Sequence, residues 1–292
     1  MSDITITRAG PLATLQDTGR FGMLAHGVSA SGPMDRRAFH AAGALLGTAA
    51  PTGIEFTSAG LAFTAGGPLR IGCAGGQFRV SVNGNPREWP ARIGLNESDV
   101  VEITPGQSGN YGYLRFNLEC DIAPVLGSRS TNLAVGLGGW KGRALHIGDR
   151  LSFVDHAAAT AASPVAAPAP GDGPVRVLWG LHADLFETAV RAAFVRTAFV
   201  VSQNLDRMGV RLTDTAGIFR TRPRLMLVSD AIVPGDIQIL GDGTPTVLMR
   251  DHQPTGGYPR IATLVSADLD RFAQMRPGTE VRFQPVSLEH AR

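Results

Sequence analysis

The chain has only two cysteines, Cys73 and Cys120, among its 292 residues. Two cysteines are too few for a disulfide framework or a cysteine-based zinc site, and the seven histidines lack the spacing of metal ligands. The formal net charge of +2 gives no argument for a nucleic acid or an anionic membrane as partner. We therefore expect no metal site, no nucleic-acid partner and no membrane partner.

Long apolar runs and the signatures of common enzyme classes are also missing. The apolar runs stay well below the ~20 residues of a membrane-spanning helix. The first residues show no basic region followed by an apolar stretch, which predicts a reduced, cytoplasmic protein. The sequence contains no G-x-x-x-x-G-K-[ST], H-E-x-x-H, C-x-x-C or G-x-S-x-G motif. A self-contained enzyme of a common motif class is therefore not expected.

Glycine and proline are abundant, with 36 and 19 of the 292 residues. Together they exceed the ~12% of residues that the two form in an average protein. This excess predicts many turns between short strands, and the fold class is therefore mainly β, with barrel-like lobes and a few packed helices. Three segments have helical spacing of apolar residues: Asp35–Leu46, His182–Phe194, and Ser266–Met275 with Ser266 as its cap. The predicted strands are Ile4–Thr7, Phe78–Val82, Val100–Ile103, Tyr113–Leu118, Val175–Trp179, Phe199–Ser202, Leu225–Val228, Thr246–Met249 and Val281–Phe283.

Residues 157–174 contain almost no large apolar side chains and are rich in alanine and proline. Such a segment cannot form a core, and it predicts a semi-extended linker between an N-terminal β-rich lobe, residues 1–156, and a C-terminal β-barrel lobe, residues 175–292. A long surface loop within one domain is the alternative.

Four segments combine glycine with charged and hydroxyl side chains. Glycine lets backbone N–H groups approach a ligand, and a neighbouring arginine can bind a carboxylate or phosphate through two hydrogen bonds. This composition predicts a site for a small anionic or amide-bearing molecule. The alternative is that Asp206 with Arg207 or Arg211 forms an ion pair that only holds loops in place. The four segments are residues 15–35, 127–143, 205–212 and 250–259.

In their order along the chain, motifs in these segments resemble those of the biotin-dependent carboxyltransferase-like family. This family includes KipA, the C subunit of bacterial 5-oxoprolinase and allophanate hydrolase subunit 2. This chain departs from the family pattern at Ile239-Leu240-Gly241, where prolines are usual, and at His252, where an arginine is usual. The matching motifs are Thr14–Gly22, Gly27–Asp35, Gly127–Thr131, Gly138–Asp149, Asp206–Leu212, Pro234–Gln238, Thr255–Ala262 and Ala273–Gly278.

The resemblance implies a fold with at least one cyclophilin-like lobe and a role as one subunit of an enzyme. The implied activity is ATP-dependent opening of 5-oxoproline to glutamate, carried out with a lactam-opening A subunit plus a KipI-like B subunit. ATP is then the cofactor of the complex, and the chain alone is expected to be inactive. Two alternatives remain: half of a biotin-dependent carboxyltransferase acting on urea or a related amide, and a non-enzymatic regulator that binds a KipI-type kinase inhibitor.

The site residues are drawn from the second to fourth segments and, for Gln238, from the matching motif Pro234–Gln238. Asp206, Arg207, Arg211 and Asp251 are the candidate catalytic residues. A triad of Ser128, His252 and Asp251 is treated as a chance pairing. The candidate substrate-binding residues are Ser128, Arg129, Ser130, Thr131, Gln238, Gln253, Thr255, Gly256, Gly257 and Tyr258.

Overall fold

The computed structural model describes residues 2–47, 50–155, 173–220 and 227–291. The chain divides into two compact units. The first unit comprises residues 1–21 and 30–167, and the second comprises residues 22–29 and 168–292. Both units are built mainly from strands, so the predicted fold class is confirmed. Most of the predicted linker, residues 157–172, lies outside the described residues.

The described residues of the first unit form twelve strands and one α-helix. The helix begins after Asp35, whose side chain accepts a hydrogen bond from the Ala38 N–H at 2.9 Å, as an N-cap does. The elements are β1 Asp3–Ala9, β2 Thr14–Gln16, α1 Arg36–Ala44, β3 Gly53–Thr57, β4 Leu61–Ala65, β5 Leu69–Gly75, β6 Phe78–Val82, β7 Asn85–Arg87, β8 Ala91–Leu95, β9 Val100–Pro105, β10 Tyr111–Phe116, β11 Glu119–Cys120 and β12 Arg150–Val154.

These strands form a seven-stranded sheet, in the order β11-β12-β1-β4-β9-β6-β7, and a five-stranded sheet, in the order β2-β3-β10-β5-β8. Along β6 the side chains of Phe78, Val80 and Val82 are buried while Arg79 is exposed. This period of two directs one face of the strand to the core. Apolar residues from both sheets form one buried cluster, which provides most of the stability of this unit.

In the part of the second unit that the structure describes there are ten strands and two α-helices, with short 3-10 turns at Leu24–His26 and Ala183–Leu185. Its elements are β13 Val175–Trp179, α2 Thr188–Arg196, β14 Phe199–Leu205, β15 Gly209–Thr213, β16 Asp230–Ala231, β17 Asp236–Ile239, β18 Pro245–Leu248, β19 Thr255–Gly256, β20 Arg260–Leu264, α3 Ser266–Ala273, β21 Glu280–Val281 and β22 Phe283–Pro285.

Eight of these strands form one sheet in the order β21-β14-β15-β18-β17-β20-β13-β22. Its two outermost strands, β21 and β22, are consecutive in the chain and are separated only by Arg282, so the sheet is nearly closed into a barrel. Inside it, Phe194, Phe199 and Phe283 contact one another with ring centroids 5.1–5.8 Å apart. Burying such a ring stabilises the fold by roughly 1.5–3 kcal/mol.

Two details of the predicted helices were wrong. The segment His182–Phe194 is not one helix, because Phe186 and Glu187 have extended ψ angles of 129° and 148° and separate the 3-10 turn from α2. Ser266 is the first helical residue of α3 and not its cap, which is Val265. Residues 225 and 226 of the predicted strand Leu225–Val228 lie outside the described residues, and 227–228 are not in a strand. Within the described part of the chain, no helix is long and apolar enough to cross a membrane.

Candidate functional site

A cavity of about 570 Å³ lies in the second unit, a volume within the ~300–1,000 Å³ range of small-molecule sites. The side chains of β15, β17 and β18 that face the barrel core are Val210, Leu212, Ile237, Ile239 and Val247, which are buried. Most of the alternate residues of the same strands line the cavity. Its lining is Gln203, Asn204, Leu205, Asp206, Met208, Gly209, Arg211, Gln238, Leu240, Thr246, Leu248, Gln253 and Tyr258.

Three polar residues form a row across the strands that floor the cavity. Arg211 on β15 is paired with Thr246 on β18, and Thr246 is paired in turn with Gln238 on β17. Directly opposed residues of antiparallel strands place their side chains on the same face, with Cβ atoms ~4.5–5.5 Å apart. The row therefore presents a guanidinium, a hydroxyl and a carboxamide side by side. All three residues lie within strands.

The cavity contains one cation and one anion that do not pair with each other. Arg211 is exposed, and no carboxylate of the described residues lies within ion-pair distance of it. Asp206 lies in the β14–β15 turn, where its Oδ1 accepts hydrogen bonds from the backbone N–H groups of Met208 at 2.7 Å and Gly209 at 3.0 Å. The turn thus fixes the Asp206 carboxylate at the edge of the cavity.

The Gln238 carboxamide is buried at the opposite end of the row. The residue is 1% exposed, and its Nε2 has no hydrogen-bond partner among the described residues. The hydroxyl Oγ1 of Thr246 is likewise buried and without a partner in the described part of the chain. Gly256 lies against this amide, because a Cβ there would stand 2.5 Å from Gln238 Nε2. Any side chain at this position would make the Gln238 amide shift.

Arg207 and Asp251 form a buried ion pair next to the cavity. Arg207 Nε donates to Asp251 Oδ2 at 2.8 Å and Arg207 Nη2 donates to Oδ1 at 3.0 Å, with side chains 2% and 1% exposed. The Asp251 N–H also donates to the Arg207 carbonyl at 2.7 Å. This pair does not line the cavity. It joins the turn that carries Asp206 to the segment that carries Gln253, and so holds two cavity walls together.

His252 and Tyr258 belong to the segment that covers one side of the cavity. Tyr258 is 38% exposed and lines the cavity, whereas His252 is buried. Burial lowers the pKa of His252 below its ordinary value of 6.5, even though its Nδ1 lies 2.6 Å from the carbonyl of Gln253. His252 is therefore neutral at neutral pH and provides no cation, unlike the arginine expected from the family motif.

In the first unit, the candidates Ser128, Arg129 and Ser130 surround the buried carboxylate of Asp17. Its Oδ1 accepts from Ser128 Oγ at 2.6 Å, Ser130 Oγ at 2.7 Å and the Gly19 N–H at 2.9 Å. Its Oδ2 accepts from the Arg129 N–H at 2.6 Å. Burial by itself would raise the pKa of Asp17, but these hydrogen bonds lower it below its ordinary value.

Other polar groups of this cluster are also used within the fold. Thr131 Oγ1 donates to the carbonyl of Leu15 at 3.0 Å, and Arg129 Nε donates to the carbonyl of Ile122 at 2.8 Å. Ser128, Ser130 and Thr131 are at most 1% exposed. The hydroxyl groups of the G-S-R-S-T motif thus hold its loop to the Asp17 turn.

The structure therefore brings together five of the predicted site residues around one cavity: Asp206, Arg211, Gln238, Gln253 and Tyr258. Thr255, Gly256 and Gly257 do not line this cavity, and Arg207 and Asp251 form the ion pair. The structure places Ser128, Arg129, Ser130 and Thr131 in the first unit.

Sequence reasoning missed Gln203, Asn204 and Thr246 among the polar lining residues. Thr246 falls inside a predicted strand, and only the pairing register reveals that it stands between Arg211 and Gln238. Gln203 and Asn204 lie where the register of β14 shifts against β15, an irregularity that carries no clear sequence signal. Among the described residues, no group of three or more histidine, cysteine or acidic side chains could hold a metal ion.

Comparison with known proteins gives the family. The family model for the carboxyltransferase domain, subdomain A and B, matches residues 26–285. The chain belongs to the carboxyltransferase-domain family. It is 34% identical to the 5-oxoprolinase C subunit of Escherichia coli (strain K12), over 99% of this chain and 93% of that protein. It is 32% identical to the 5-oxoprolinase C subunit of Haemophilus influenzae, over 96% of this chain and 90% of that protein.

Solved structures of this family share the fold. The K. lactis urea amidolyase superposes with a TM-score of 0.88 at 27% identity, over 99% of this chain and 19% of that chain. TTHA0988 superposes with a TM-score of 0.82 at 27% identity, over 97% of this chain and 55% of that chain. The chain thus spans about half of one solved relative and a fifth of the other. The two bacterial relatives are subunits of enzyme complexes, which agrees with the expected role as an enzyme subunit.

Proposed function

We propose that this chain is the C subunit of an ATP-dependent 5-oxoprolinase, which opens 5-oxoproline to glutamate together with KipI-like and lactam-opening subunits. The observation that carries the proposal is the similarity to two 5-oxoprolinase C subunits over at least 90% of both partners in each comparison. The urea amidolyase relatives are less similar, at 26–29% identity, and the chain spans only 17% of their length.

The cavity supports this proposal by its chemistry. 5-Oxoproline carries a carboxylate, an amide N–H and an amide carbonyl on a five-membered ring. Arg211 can bind the carboxylate through two hydrogen bonds, while Asp206 accepts hydrogen bonds and the carboxamides of Gln203, Gln238 and Gln253 both donate and accept them. A cavity that offers a guanidinium among several carboxamides fits such a ligand better than it fits a polyanion.

The reaction needs activation, because a lactam is a stable amide that water opens slowly. Transfer of the γ-phosphoryl group of ATP to the carbonyl oxygen would break the terminal phosphoanhydride bond, release ADP and make the ring carbon electrophilic. Water then adds to that carbon and the C–N bond breaks, which frees the amine and leaves an acyl phosphate. A second water releases phosphate and leaves the new carboxylate of glutamate.

Charge develops on oxygen during these steps, and cationic or N–H donors around the ring stabilise it. Arg211 has a different role, because it binds the carboxylate and so holds the ring in position for these steps.

A second candidate function is half of a biotin-dependent carboxyltransferase acting on urea or a related amide. The family model and the urea amidolyase of Lachancea kluyveri, 29% identical over 98% of this chain, favour it. This function requires a biotin carrier as an additional partner. Urea has no carboxylate, so Arg211 would then bind another anion.

The test is reconstitution. The chain is co-expressed with KipI-like and lactam-opening subunits from the same organism, and the complex is purified. Glutamate release from 5-oxoproline is then measured with and without ATP. We expect ATP-dependent release by the complete complex and none by this chain alone. Release that persists without this chain would contradict the proposal. Bicarbonate-dependent carboxylation of urea after addition of a biotin carrier, without glutamate release, would establish the second candidate instead.

A further inference from the structure

The buried carboxamide of Gln238 is the feature of the cavity that the fold does not explain. Its Nε2 has no hydrogen-bond partner among the described residues although the residue is only 1% exposed. Leaving a buried donor without a partner destabilises the folded protein, whereas methionine would occupy a similar volume without that cost. A polar group kept at such a position indicates that a ligand, and not the protein, satisfies it.

The neighbours of Gln238 indicate where that ligand lies. Thr246, directly opposite on β18, also has a buried oxygen without a partner in the described ranges, and Arg211 stands opposite Thr246 on β15. Gln238 and Arg211 lie on the two outer strands of three adjacent strands, so their backbones are ~9–10 Å apart. Because both side chains are long, the gap between their end groups is about the size of a small ring acid. A ligand in this row contacts a carboxamide, a hydroxyl and a guanidinium in that order.

A primary carboxamide carries an N–H and a C=O on the same edge of its plane. An amide inside a five-membered ring is held in the cis form, so its N–H and C=O also share one edge. An open-chain secondary amide is trans and places these groups on opposite edges. In the structure Gln238 Nε2 lies against Gly256 and is closed to solvent, so the side chain must turn to bring this edge to the cavity. The edge can then form two antiparallel hydrogen bonds with a ring amide, but only one with an open-chain secondary amide.

We propose that Gln238 selects ligands with a cis-amide edge, and that Thr246 donates to the same ligand while Arg211 binds its carboxylate. The choice of a lactam acid as ligand rests on the proposed function. The recognition of the edge itself does not, because the ureido group of urea presents the same N–H and C=O. The three residues thus form a subsite for a small cyclic amide that carries an acid group.

Binding of two nearly isosteric probes tests the subsite. The first is 5-oxoproline, and the second is 5-oxotetrahydrofuran-2-carboxylate, in which a ring oxygen replaces the N–H. Calorimetric titration of the purified complex without ATP measures both. We expect wild type to bind the lactam ~10-fold more tightly, the scale of one hydrogen bond. The ratio of the dissociation constants of the two probes should fall to about 1 in Gln238→Met. It should remain ~10-fold in Gln284→Met, a control on β22 of the same barrel.

Two further variants keep the test decisive. Gln238→Glu retains the acceptor oxygens but loses the N–H donor, and Thr246→Val removes only the hydroxyl. Each of these two variants should weaken the binding of both probes. Gln238→Met should unfold at a temperature no lower than wild type, because it removes an unpaired polar group. A lactam preference that persists in Gln238→Met would overturn the subsite, as would wild-type complex that binds neither probe.

The test of the subsite and the test of the proposed function have independent outcomes. If the complex releases glutamate from 5-oxoproline and Gln238→Met keeps its lactam preference, the function stands and the subsite fails. If the complex releases no glutamate while the lactam preference depends on Gln238, the subsite stands and the function fails.

Discussion

The Asp17 cluster of the first unit and the cavity of the second unit are built from the same kinds of residues, yet they use them differently. Around Asp17, both carboxylate oxygens receive hydrogen bonds from Ser128, Ser130 and two backbone N–H groups. In the cavity, Arg211 lacks an ion-pair partner among the described residues, and Gln238 Nε2 and Thr246 Oγ1 lack hydrogen-bond partners there. The fold therefore uses the Asp17 carboxylate fully, whereas these groups of the cavity have no partner among the described residues.

The same contrast occurs within one motif. Arg207 and Arg211 are four residues apart, but Arg207 is buried against Asp251 and Arg211 projects from the outer face of β15 into the cavity. The first arginine is a structural residue that positions the cavity walls. The second is available to a ligand. Substitutions at these positions should therefore separate stability from activity.

The largest effect is expected for the buried pair. Arg207→Ala leaves the Asp251 carboxylate buried and uncompensated, which should lower the free energy of unfolding by ~3–5 kcal/mol. Urea denaturation of the purified chain measures it. The double variant Arg207→Met with Asp251→Leu removes both charges and should recover much of the loss. A single variant as stable as wild type would show that the pair does not hold the walls together.

The next effect concerns Arg211. Arg211→Ala should raise the activation free energy for glutamate release by the assembled complex by ~2–4 kcal/mol, the scale of one lost charge-stabilising donor. Its unfolding curve should match wild type, because Arg211 is exposed. Arg92→Ala, at an exposed strand position in the first unit, is the control and should leave both quantities unchanged. An Arg211→Ala chain that unfolds, with its folded fraction fully active, would make Arg211 a structural residue.

A smaller loss of stability is expected at Asp17. Asp17→Asn replaces one acceptor oxygen by the NH₂ group of a carboxamide, a donor that faces the N–H and O–H donors around it. The substitution should lower the free energy of unfolding by ~1–3 kcal/mol at neutral pH. Because the folded pKa of Asp17 lies below its ordinary 3.8, this contribution is complete above about pH 4 and is lost as the pH falls through the folded pKa. Unfolding measured at pH 7 and pH 3 should show the two proteins converging in acid. Activity of the folded variant in the complex should remain.

The smallest effect is a pH dependence from His252. Its folded pKa lies below 6.5, so the unfolded chain binds a proton more readily than the folded chain does. The contribution of His252 to stability is therefore complete above about pH 6.5 and declines as the pH falls below that value. His252→Gln should reduce the loss of the thermal midpoint between pH 7.5 and pH 5.5. An identical slope in both proteins would mean that His252 does not resist protonation.

Much of the fold could be predicted from the sequence, because strand periodicity and turn residues are local signals. The alternation of Phe78, Arg79 and Val80 predicts one buried face, and β6 has it. The break between the turn at Ala183–Leu185 and α2 could not be predicted, since its apolar residues keep helical spacing through extended Phe186. Tertiary packing overrides the local helical pattern at this position.

The candidate site was predictable only in part for the same reason. Composition singled out Asp206 and Arg211, and the resemblance to the family singled out Gln238; the fold brings all three to one cavity. Composition could not separate Arg207 from Arg211, because the difference between them is burial and pairing across 44 residues of sequence. Thr246 carries no motif, and it joins the site only through the register of three strands.

The central claim is that the cavity, and not the Asp17 cluster, receives the ligand. Hydrogen exchange of the purified complex with saturating 5-oxoproline and without ATP tests it directly. We predict slower exchange of the backbone amides in residues 203–211, 236–240 and 246–258, with residues 14–20 and 126–132 unchanged. Protection confined to residues 14–20 and 126–132, with none along β15, β17 and β18, would contradict the claim.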